Sequence, residues 1–448
     1  MTIPASARSP LALRRRRTEL GLIVMALVII GSAYTLASLG RSASIPADIV
    51  PFLLIVLGLF VAAHLANRRL APHADPLLVP LAALLNGIGY VEIARLNQEL
   101  AAQQAAWTAV GIAGYLLTLG YFRRVRSLER VRYTFGVAGL ALLMLPLVPG
   151  IGVSIHGARI WTRIGPVSFQ PGEFAKLALA VFIAGYVVGN REVLSMATFR
   201  LGPIAMPEPR HLAPLLAAWG VSLIVMIFER DLGSALLFFV LFLVVLWIGT
   251  QRVSYLVVGG SLFGAGAVGT WSMFDHVQLR VSMWLNPWID PLDRGYQIIQ
   301  AQYAIAWGGA GGTGLGLGIP GRIPFQETDF IFAVIAEELG LFGAAAVLMA
   351  YVLMAGSGFR VATRARDPFA KLLAVGLTTL LAVQSFIIMG GVTRLLPLTG
   401  VTLPFVSYGG SSLIANWVLV ALLVRVSDDA EGAGAGSGDE PTTVLAVR

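Results

Sequence analysis

The sequence contains no cysteine among its 448 residues, and only 12% of those residues are charged. Without cysteine the chain has no disulfide, no thiolate nucleophile and no cysteine-ligated metal site. An average soluble domain is about 25% charged, so the shortage of charge excludes an ordinary soluble enzyme. Hydrophobic residues make up 57% of the chain, and its mean hydropathy is +0.79.

Several catalytic and ligand-binding signatures are also missing. The glycine run Gly308–Gly318 lacks the GK[ST] ending of a phosphate-binding loop and follows no predicted strand. The chain has no HExxH and no GxSxG motif, and its five histidines show no metal-ligand spacing. The net charge of +8 comes from arginines spread over short loops, so it does not indicate a nucleic-acid partner.

Long apolar runs are what the chain has in abundance. Runs of about 17–25 apolar residues, the length that crosses a bilayer, recur along the whole sequence. They predict an all-α, polytopic membrane protein with about twelve transmembrane helices. The predicted spans are Leu20–Leu39, Pro51–Ala66, Leu77–Ile93, Ala106–Tyr121, Tyr133–Val148, Phe174–Val188, Leu212–Phe228, Leu232–Gly249, Ser254–Met273, Phe330–Met354, Ala370–Gly390 and Pro404–Val424.

Basic residues cluster on alternate loops, on the side of the arginine-rich N-terminal arm. By the positive-inside rule this side is cytoplasmic, and both termini lie on it. The clustered residues are Arg68, Arg69, Arg123, Arg124, Arg126, Arg130, Arg132, Arg191, Arg200, Arg210, Arg360, Arg364, Arg366 and Lys371. The predicted organisation is a basic arm (1–19), N-terminal membrane helices (20–150), a membrane core (151–426) with an extracytoplasmic loop (275–329), and a disordered cytoplasmic tail (427–448).

The long segment from Asn286 to Gly340 ends in an acidic residue, Asp329, just before an apolar helix. A carboxylate at the end of a membrane helix is costly to remove from water. Helix capping and a functional role both explain it, because aspartate is a preferred N-cap residue. Local sequence leaves the two interpretations evenly balanced.

Other polar groups interrupt the apolar pattern on the same predicted side. Glu173 and Lys176 are three residues apart and can pair on one helix face. Trp161 alone indicates an interfacial anchor, but the neighbouring Arg159 adds a charge suited to a phosphate or carboxylate. Asp231 is predicted to cap the helix that follows it.

A second group lies near the C-terminus and comprises Arg394, Ser407 and Ser411 within a run of small residues. Small residues in membrane helices usually permit close helix packing. Here they also bring hydroxyl groups and an arginine to the outer surface, so a mixed role is predicted.

The ordered motifs from Ala158 to Val426 resemble those of the SEDS family, whose members include RodA, FtsW and SpoVE. The motifs are GARIW, QPGEFAKLAL, RDLGSALL, GYQIIQ, GGAGGTGLG, TDFIFAVIAEELG and GGVTRLLPLTGVTLPFVSYGGSS. Members typically have ten spans, and this chain adds two at the N-terminus, similar to actinobacterial RodA-like members. It departs from the family at Gly172 (usually Ser or Ala) and Arg230 (usually Pro), which affects packing, and at Glu327 (usually His). The change at Glu327 puts in doubt any role for a histidine beside Asp329.

The resemblance implies a peptidoglycan glycosyltransferase acting on the outer membrane face, with lipid II as substrate. Asp329 would be the base, Lys176 and Arg159 would balance the leaving pyrophosphate, and Glu173 would hold Lys176. Trp161, Arg394, Ser407 and Ser411 are further candidate substrate-binding residues. The implied partners are a class B penicillin-binding protein and membrane lipid. A divalent cation (Mg²⁺ or Mn²⁺) could bridge the pyrophosphate to carboxylates, although the sequence contains no ligand cage.

Two other functions remain as alternatives. Charges inside membrane helices also suit a transporter or lipid flippase, but transporters place their site near the midplane between internal repeats, and no repeat is evident. A structural scaffold is disfavoured by the buried charges. Within the family, the extra N-terminal spans and the short acidic tail favour an elongation role over an FtsW-like division role.

Overall fold

The computed structural model describes residues 10–44, 49–155, 158–165, 167–196, 199–201, 204–206, 209–229 and 231–435. The described part of the chain is mainly helical, which confirms the predicted fold class. Its helices are α1 Pro10–Ser42, α2 Ile49–Leu70, α3 Leu78–Leu96, α4 Gln98–Tyr121, α5 Arg126–Arg130, α6 Arg132–Met144, α7 Pro171–Gly189, α8 Arg191–Ser195, α9 Pro209–Glu229, α10 Leu232–Thr250, α11 Val253–Met273, α12 Asp275–Leu285, α13 Tyr296–Gly308, α14 Ile331–Arg364, α15 Pro368–Val392 and α16 Gly410–Ala435.

Ten of the described helices are long and apolar enough to cross a membrane, and they are α1, α2, α3, α7, α9, α10, α11, α14, α15 and α16. The 24-residue α4 and the shorter, apolar α6 lie where the two other predicted spans were expected. Helices α3, α7, α15 and α16 are mostly buried in the bundle, whereas α11 at its edge buries only Tyr255.

Side-chain caps explain where several helices begin. The carboxylate of Asp231 accepts a hydrogen bond of 2.9 Å from the backbone N–H of Ser234, which confirms the predicted cap of α10. Asn97 and Asp367 cap α4 and α15 in the same way. Pro171 occupies the first turn of α7. Backbone N–H groups in a first turn have no hydrogen-bond partner within the helix, so a proline without an N–H is tolerated there.

The interval between α6 and α7 forms a small sheet that the sequence did not predict. Strands β1 Gly152–Ile155, β2 Ala158–Ile164 and β3 Val167–Phe169 pair antiparallel in that order. Trp161 in the central strand lies opposite Val153. A second hairpin, β4 Phe199–Leu201 with β5 Ile204–Met206, joins α8 to α9.

The segment between α11 and α14 was predicted as one long loop, and in the structure it holds short helices of its own. It contains α12, α13 and two 3₁₀ turns, Pro287–Ile289 and Pro320–Arg322. Residues 309–330 contain no α-helix, and the first part of this stretch, residues 309–322, is here called the glycine-rich segment. Helices α12 and α13 were not predicted, because they are too short to produce a membrane-span signal.

The glycine-rich segment is hydrogen-bonded to a break in α14 at Gly340. Gly340 has φ +65° and ψ −165°, a region in which essentially only glycine is found. On one side of the break, the Glu337 and Glu338 carbonyls accept hydrogen bonds from Thr313 and Gly314, both at 3.0 Å. On the other side, the N–H of Leu341 donates to the Gly309 carbonyl at 2.9 Å.

Both predicted polar ends of the chain are shorter than expected. Helix α1 already begins at Pro10 rather than near Leu20, and α16 ends at Ala435 rather than at Val426. The extension of α16 is held by its carboxylates, since Asp428 accepts a 2.9 Å hydrogen bond from the backbone of His73. Residues 1–9, Arg230 and 436–448 lie outside the described residues.

We expect Gly340→Ala to destabilise the protein. A β-carbon at Gly340 would lie 2.3 Å from the Gly312 nitrogen, and non-glycine residues in this region cost about 1–3 kcal/mol. Gly356→Ala is the matched control, because it lies in the same helix with open space around it. Thermal unfolding in detergent measures both, and equal melting temperatures would contradict the importance of the break.

We also expect the segment between α11 and α14 to face the outside of the cell. Leu292 in this segment is 88% exposed, and Ser127 in α5 is exposed on the predicted inner side. A membrane-impermeant maleimide added to intact cells should label Leu292→Cys but not Ser127→Cys. The cysteine-free background leaves no competing site, and the opposite labelling pattern would reverse the topology.

Candidate functional site

A cavity of about 870 Å³ lies where the ends of several helices meet the small sheet and the segment before α14. Polar side chains from α4, β3, α7, α12, α13 and α16 line it, together with the α10 cap and the turns before α14 and α16. These polar lining residues are Gln103, Ser168, Gln170, Glu173, Asp231, Arg280, Arg294, Gln297, Thr328, Asp329, Thr399, Thr402, Tyr408, Ser411 and Ser412.

Asp329 is half-buried in the wall of this cavity, in the turn that precedes α14. The N-cap position of α14 belongs to Phe330, so Asp329 is not the capping residue that local sequence allowed. Its carboxylate faces Gly400, whose β-carbon would lie 3.8 Å from Oδ2. The backbone at Gly400 has φ +75°, so glycine both permits this turn and leaves space beside the acid.

Glu173 and Lys176 form the ion pair that their spacing predicted. Lys176 Nζ lies 2.9 Å from Glu173 Oε2 and donates a 2.7 Å hydrogen bond to Gln384 Oε1. Gln384 in turn donates to the Thr402 carbonyl at 2.8 Å, which links α7 to the turn that precedes α16. Both charged side chains are more than nine-tenths buried. Glu173 lines the cavity, whereas Lys176 lies behind it.

Arg280 supplies a positive charge inside the cavity, and the sequence analysis missed it. It extends from α12, and its Nη1 donates to the Thr399 carbonyl at 3.3 Å. Burial lowers the pKa of Arg280, while the negative charges of Asp231 and Asp329 act in the opposite direction. Arg280 is therefore near both carboxylates. The helical spacing of Val277, Val281 and Trp284 was the available signal for α12.

Asp231 contributes more than its predicted cap, because its side chain also lines the cavity. Burial raises the pKa of this carboxyl above its ordinary value, its hydrogen bonds from Ser234 lower it, and the charge of Glu173 raises it further. Three carboxylates, those of Asp231, Glu173 and Asp329, therefore line the same cavity as the partly buried guanidinium of Arg280. A second guanidinium, that of Arg294 in the turn before α13, lines the cavity with its side chain 60% exposed.

The other predicted site residues divide into two groups. Trp161 and Ser411 line the cavity, and Ser411 Oγ accepts a 2.9 Å hydrogen bond from the backbone of Gln170. Arg159 lies on β2, and its side chain packs beside Gly152 outside the wall. Arg394 and Ser407 also lie outside the cavity wall.

Arg394 and Ser407 hold cavity residues in place from behind. Arg394 has φ +62° and donates to the carbonyls of Trp284 and Leu285 at 3.0 and 3.1 Å, which fixes the end of α12. Ser407 Oγ donates to the Thr328 carbonyl at 2.6 Å, directly beside Asp329. Arg394 thus supports α12, which carries Arg280, and Ser407 supports the turn that carries Asp329.

Comparison with known proteins identifies the family. The family model FtsW/RodA/SpoVE, described as cell cycle protein, matches residues 78–432. The peptidoglycan glycosyltransferase RodA of Mycobacterium tuberculosis is 46% identical over 95% of this chain and 93% of its own. Stage V sporulation protein E of Bacillus subtilis is 36% identical over 64% of this chain and 76% of its own.

Solved structures agree with the sequence relatives. A chain from a peptidoglycan synthase complex that coordinates polymerization and crosslinking is 29% identical, with a TM-score of 0.67, over 80% of this chain and 98% of its own. The rod shape determining protein RodA of Thermus thermophilus is 26% identical, with a TM-score of 0.58, over 80% of this chain and 97% of its own. The chain is a polytopic membrane protein and belongs to the FtsW/RodA/SpoVE family.

Proposed function

We propose that this protein is a peptidoglycan glycosyltransferase that polymerises lipid II, with Asp329 as the general base. The observation that carries the proposal is the cavity that combines a half-buried carboxylate, Asp329, with a nearby guanidinium, Arg280. Glycosyl transfer from a diphosphate donor requires a proton acceptor for the attacking hydroxyl and a positive charge near the leaving group. The curated mycobacterial relatives carry the name of this activity.

The chemical step follows from these two groups. The Asp329 carboxylate takes the proton from the acceptor sugar hydroxyl, whose oxygen forms a bond to the anomeric carbon of the donor sugar. The bond between that carbon and the diphosphate oxygen breaks, and undecaprenyl diphosphate leaves with its negative charge. A positioned base is worth about 10²–10⁴ in rate.

Positive charge for the diphosphate comes from residues other than those expected from sequence. Lys176 and Arg159 do not line the cavity, whereas Arg280 and Arg294 do. We therefore assign diphosphate binding to the two lining arginines, whose planar guanidinium groups suit phosphate oxygens. Lys176 neutralises the buried carboxylate of Glu173 and fixes its position.

The described residues contain no group of three or more histidine, aspartate or glutamate side chains arranged to hold a metal ion. A divalent cation that bridges the diphosphate to carboxylates stays a prediction. A transporter is a weaker interpretation, because the polar lining comes from helix ends and their adjoining turns rather than from a midplane site between repeats.

The cellular setting follows from the same relatives. We propose that the cavity faces the extracytoplasmic side and that both termini are cytoplasmic, as the arginine distribution predicts. A class B penicillin-binding protein is the proposed partner, supported by the solved relative from a complex that couples polymerization to crosslinking. The RodA-named relatives match nearly the whole chain, which supports a role in elongation rather than division.

Asp329→Asn tests the base directly. Asparagine keeps the size and hydrogen-bonding capacity of aspartate but cannot take up a proton at this step, so polymerisation of lipid II by purified protein should fall at least about 10²-fold. Melting temperature and detergent elution should stay near those of the original protein. Asp293→Asn, an exposed residue outside the cavity wall, is the control and should keep full activity. Substantial polymer formation by the Asp329→Asn protein would rule out the base assignment.

Glu173 and Lys176 should behave as one unit in a double-mutant cycle. Removing one member of a buried ion pair leaves the other charge uncompensated, at a cost of about 3–5 kcal/mol. Glu173→Gln and Lys176→Met should each strongly reduce polymerisation, and the double variant should lose far less than the sum of both. Polymerisation rates of the three variants give the coupling, and strictly additive losses would show that the pair does not act together.

A further inference from the structure

Helix α1 lies outside the part of the chain that the family model matches. The family model begins at residue 78, and the solved relatives cover 80% of this chain while covering almost all of their own. Helices α1 and α2 both precede the matched region. Their contacts within the described structure indicate what the additional helices contribute.

The outer end of α1 touches the glycine-rich segment backbone to backbone. A β-carbon at Gly40 would lie 2.2 Å from the carbonyl oxygen of Leu315. From the other side, a β-carbon at Gly316 would lie 2.2 Å from the carbonyl oxygen of Ala37. Both residues must be glycine for the two backbones to come this close.

Charged side chains next to this contact also hold the glycine-rich segment in place. Arg41 at the end of α1 donates a 2.9 Å hydrogen bond to the carbonyl of Arg95 in α3. Arg95 donates to the Gly318 carbonyl at 2.8 Å and forms a buried ion pair with Glu338. Glu338 also accepts a 2.9 Å hydrogen bond from the N–H of Gly316. The glycine-rich segment is thus held between α1, α3 and α14.

The inner end of α1 is anchored as firmly as its outer end. Glu19 is fully buried, pairs with Arg16 and accepts hydrogen bonds from Asn67 at 3.2 and 3.3 Å. Its other close partner is His64 Nδ1, at 2.7 Å. Arg16 also donates to the Ala74 carbonyl. Because α1 is fixed at both ends, its outer end is a rigid support rather than a free terminus.

We propose that α1 positions Asp329 for catalysis by fixing the glycine-rich segment, and that Gly40 is the positioning residue at this contact. The segment leads directly into the turn that carries Asp329, and it also completes the break in α14, the helix that this turn begins. A displacement of Leu315 and Gly316 is therefore transmitted to the base along the chain and through α14. This inference rests on the proposed role of Asp329.

Gly40→Ala tests the proposal with the smallest possible change. Alanine favours a helix more than glycine, so a purely local effect on α1 would be neutral or favourable. The added β-carbon nevertheless must push the Leu315 carbonyl away. A displacement of about 1 Å near a reacting group can cost up to about 10²-fold, so we expect kcat for lipid II polymerisation to fall at least about 10-fold. KM for lipid II should remain close to that of the original protein, and the melting temperature should fall, as expected for Gly340→Ala, without loss of the folded state.

Gly21→Ala is the matched control, since it lies in the same helix with nothing within 4 Å of the added carbon. It should leave kcat unchanged. An unchanged kcat in Gly40→Ala overturns the proposal, and so does a loss of kcat in Gly21→Ala of equal size. If Gly40→Ala does not fold, Arg41→Gln decides, because it weakens the hydrogen bond to Arg95 without adding an atom at the contact: a lower kcat supports the proposal and an unchanged kcat overturns it.

The same assay separates this proposal from the proposed function. No polymer from the original protein would refute the glycosyltransferase function itself. Normal polymerisation by the original protein together with an unaffected Gly40→Ala variant would refute only the role of α1.

Discussion

The structure depends on the hydrogen bonds that join the glycine-rich segment to the break in α14 at Gly340. Inside a membrane protein, an interrupted helix is tolerated only where other protein groups satisfy its free backbone atoms. Here Thr313 and Gly314 donate to one side of the break, and the carbonyls of Gly309 and Ala310 accept from the other side. The segment must therefore fold inward against α14, and this fixes the path of the chain toward Asp329.

In the candidate site, which lies at the end of the glycine-rich segment, negative and positive side chains are placed close together. Three carboxylates, Asp231, Glu173 and Asp329, line one cavity, which is unfavourable unless positive charge lies nearby. Lys176 compensates Glu173 from behind the wall, and Arg280 lies near the other two carboxylates from within it. Lys176 thus compensates Glu173 from outside the cavity, and Arg280 and Arg294 are the two arginines that line it.

Sequence alone predicted those features that depend on neighbouring residues or on long patterns. The membrane helices follow from apolar length, the Glu173–Lys176 pair from helical spacing, and the Asp231 cap from local preference. It did not predict the place of Arg280, because α12 is short and is positioned by distant partners, Arg394 and Thr399. The strands β1–β3 were missed for a similar reason. They are too short to be seen in the long apolar runs that identified the membrane helices, and the pairing of Trp161 with Val153 depends on the folded chain.

The contact between Gly40 and Leu315 joins residues that are far apart in the sequence, and it has a consequence for biosynthesis. Contacts of high sequence separation form late and slowly, because the intervening chain must first be ordered. Chains emerge from the ribosome N-terminus first, so α1 enters the membrane well before the glycine-rich segment is made. The glycine-rich segment therefore packs against a helix that is already in the membrane, so the first helix of the chain can act as a template for a later folding event.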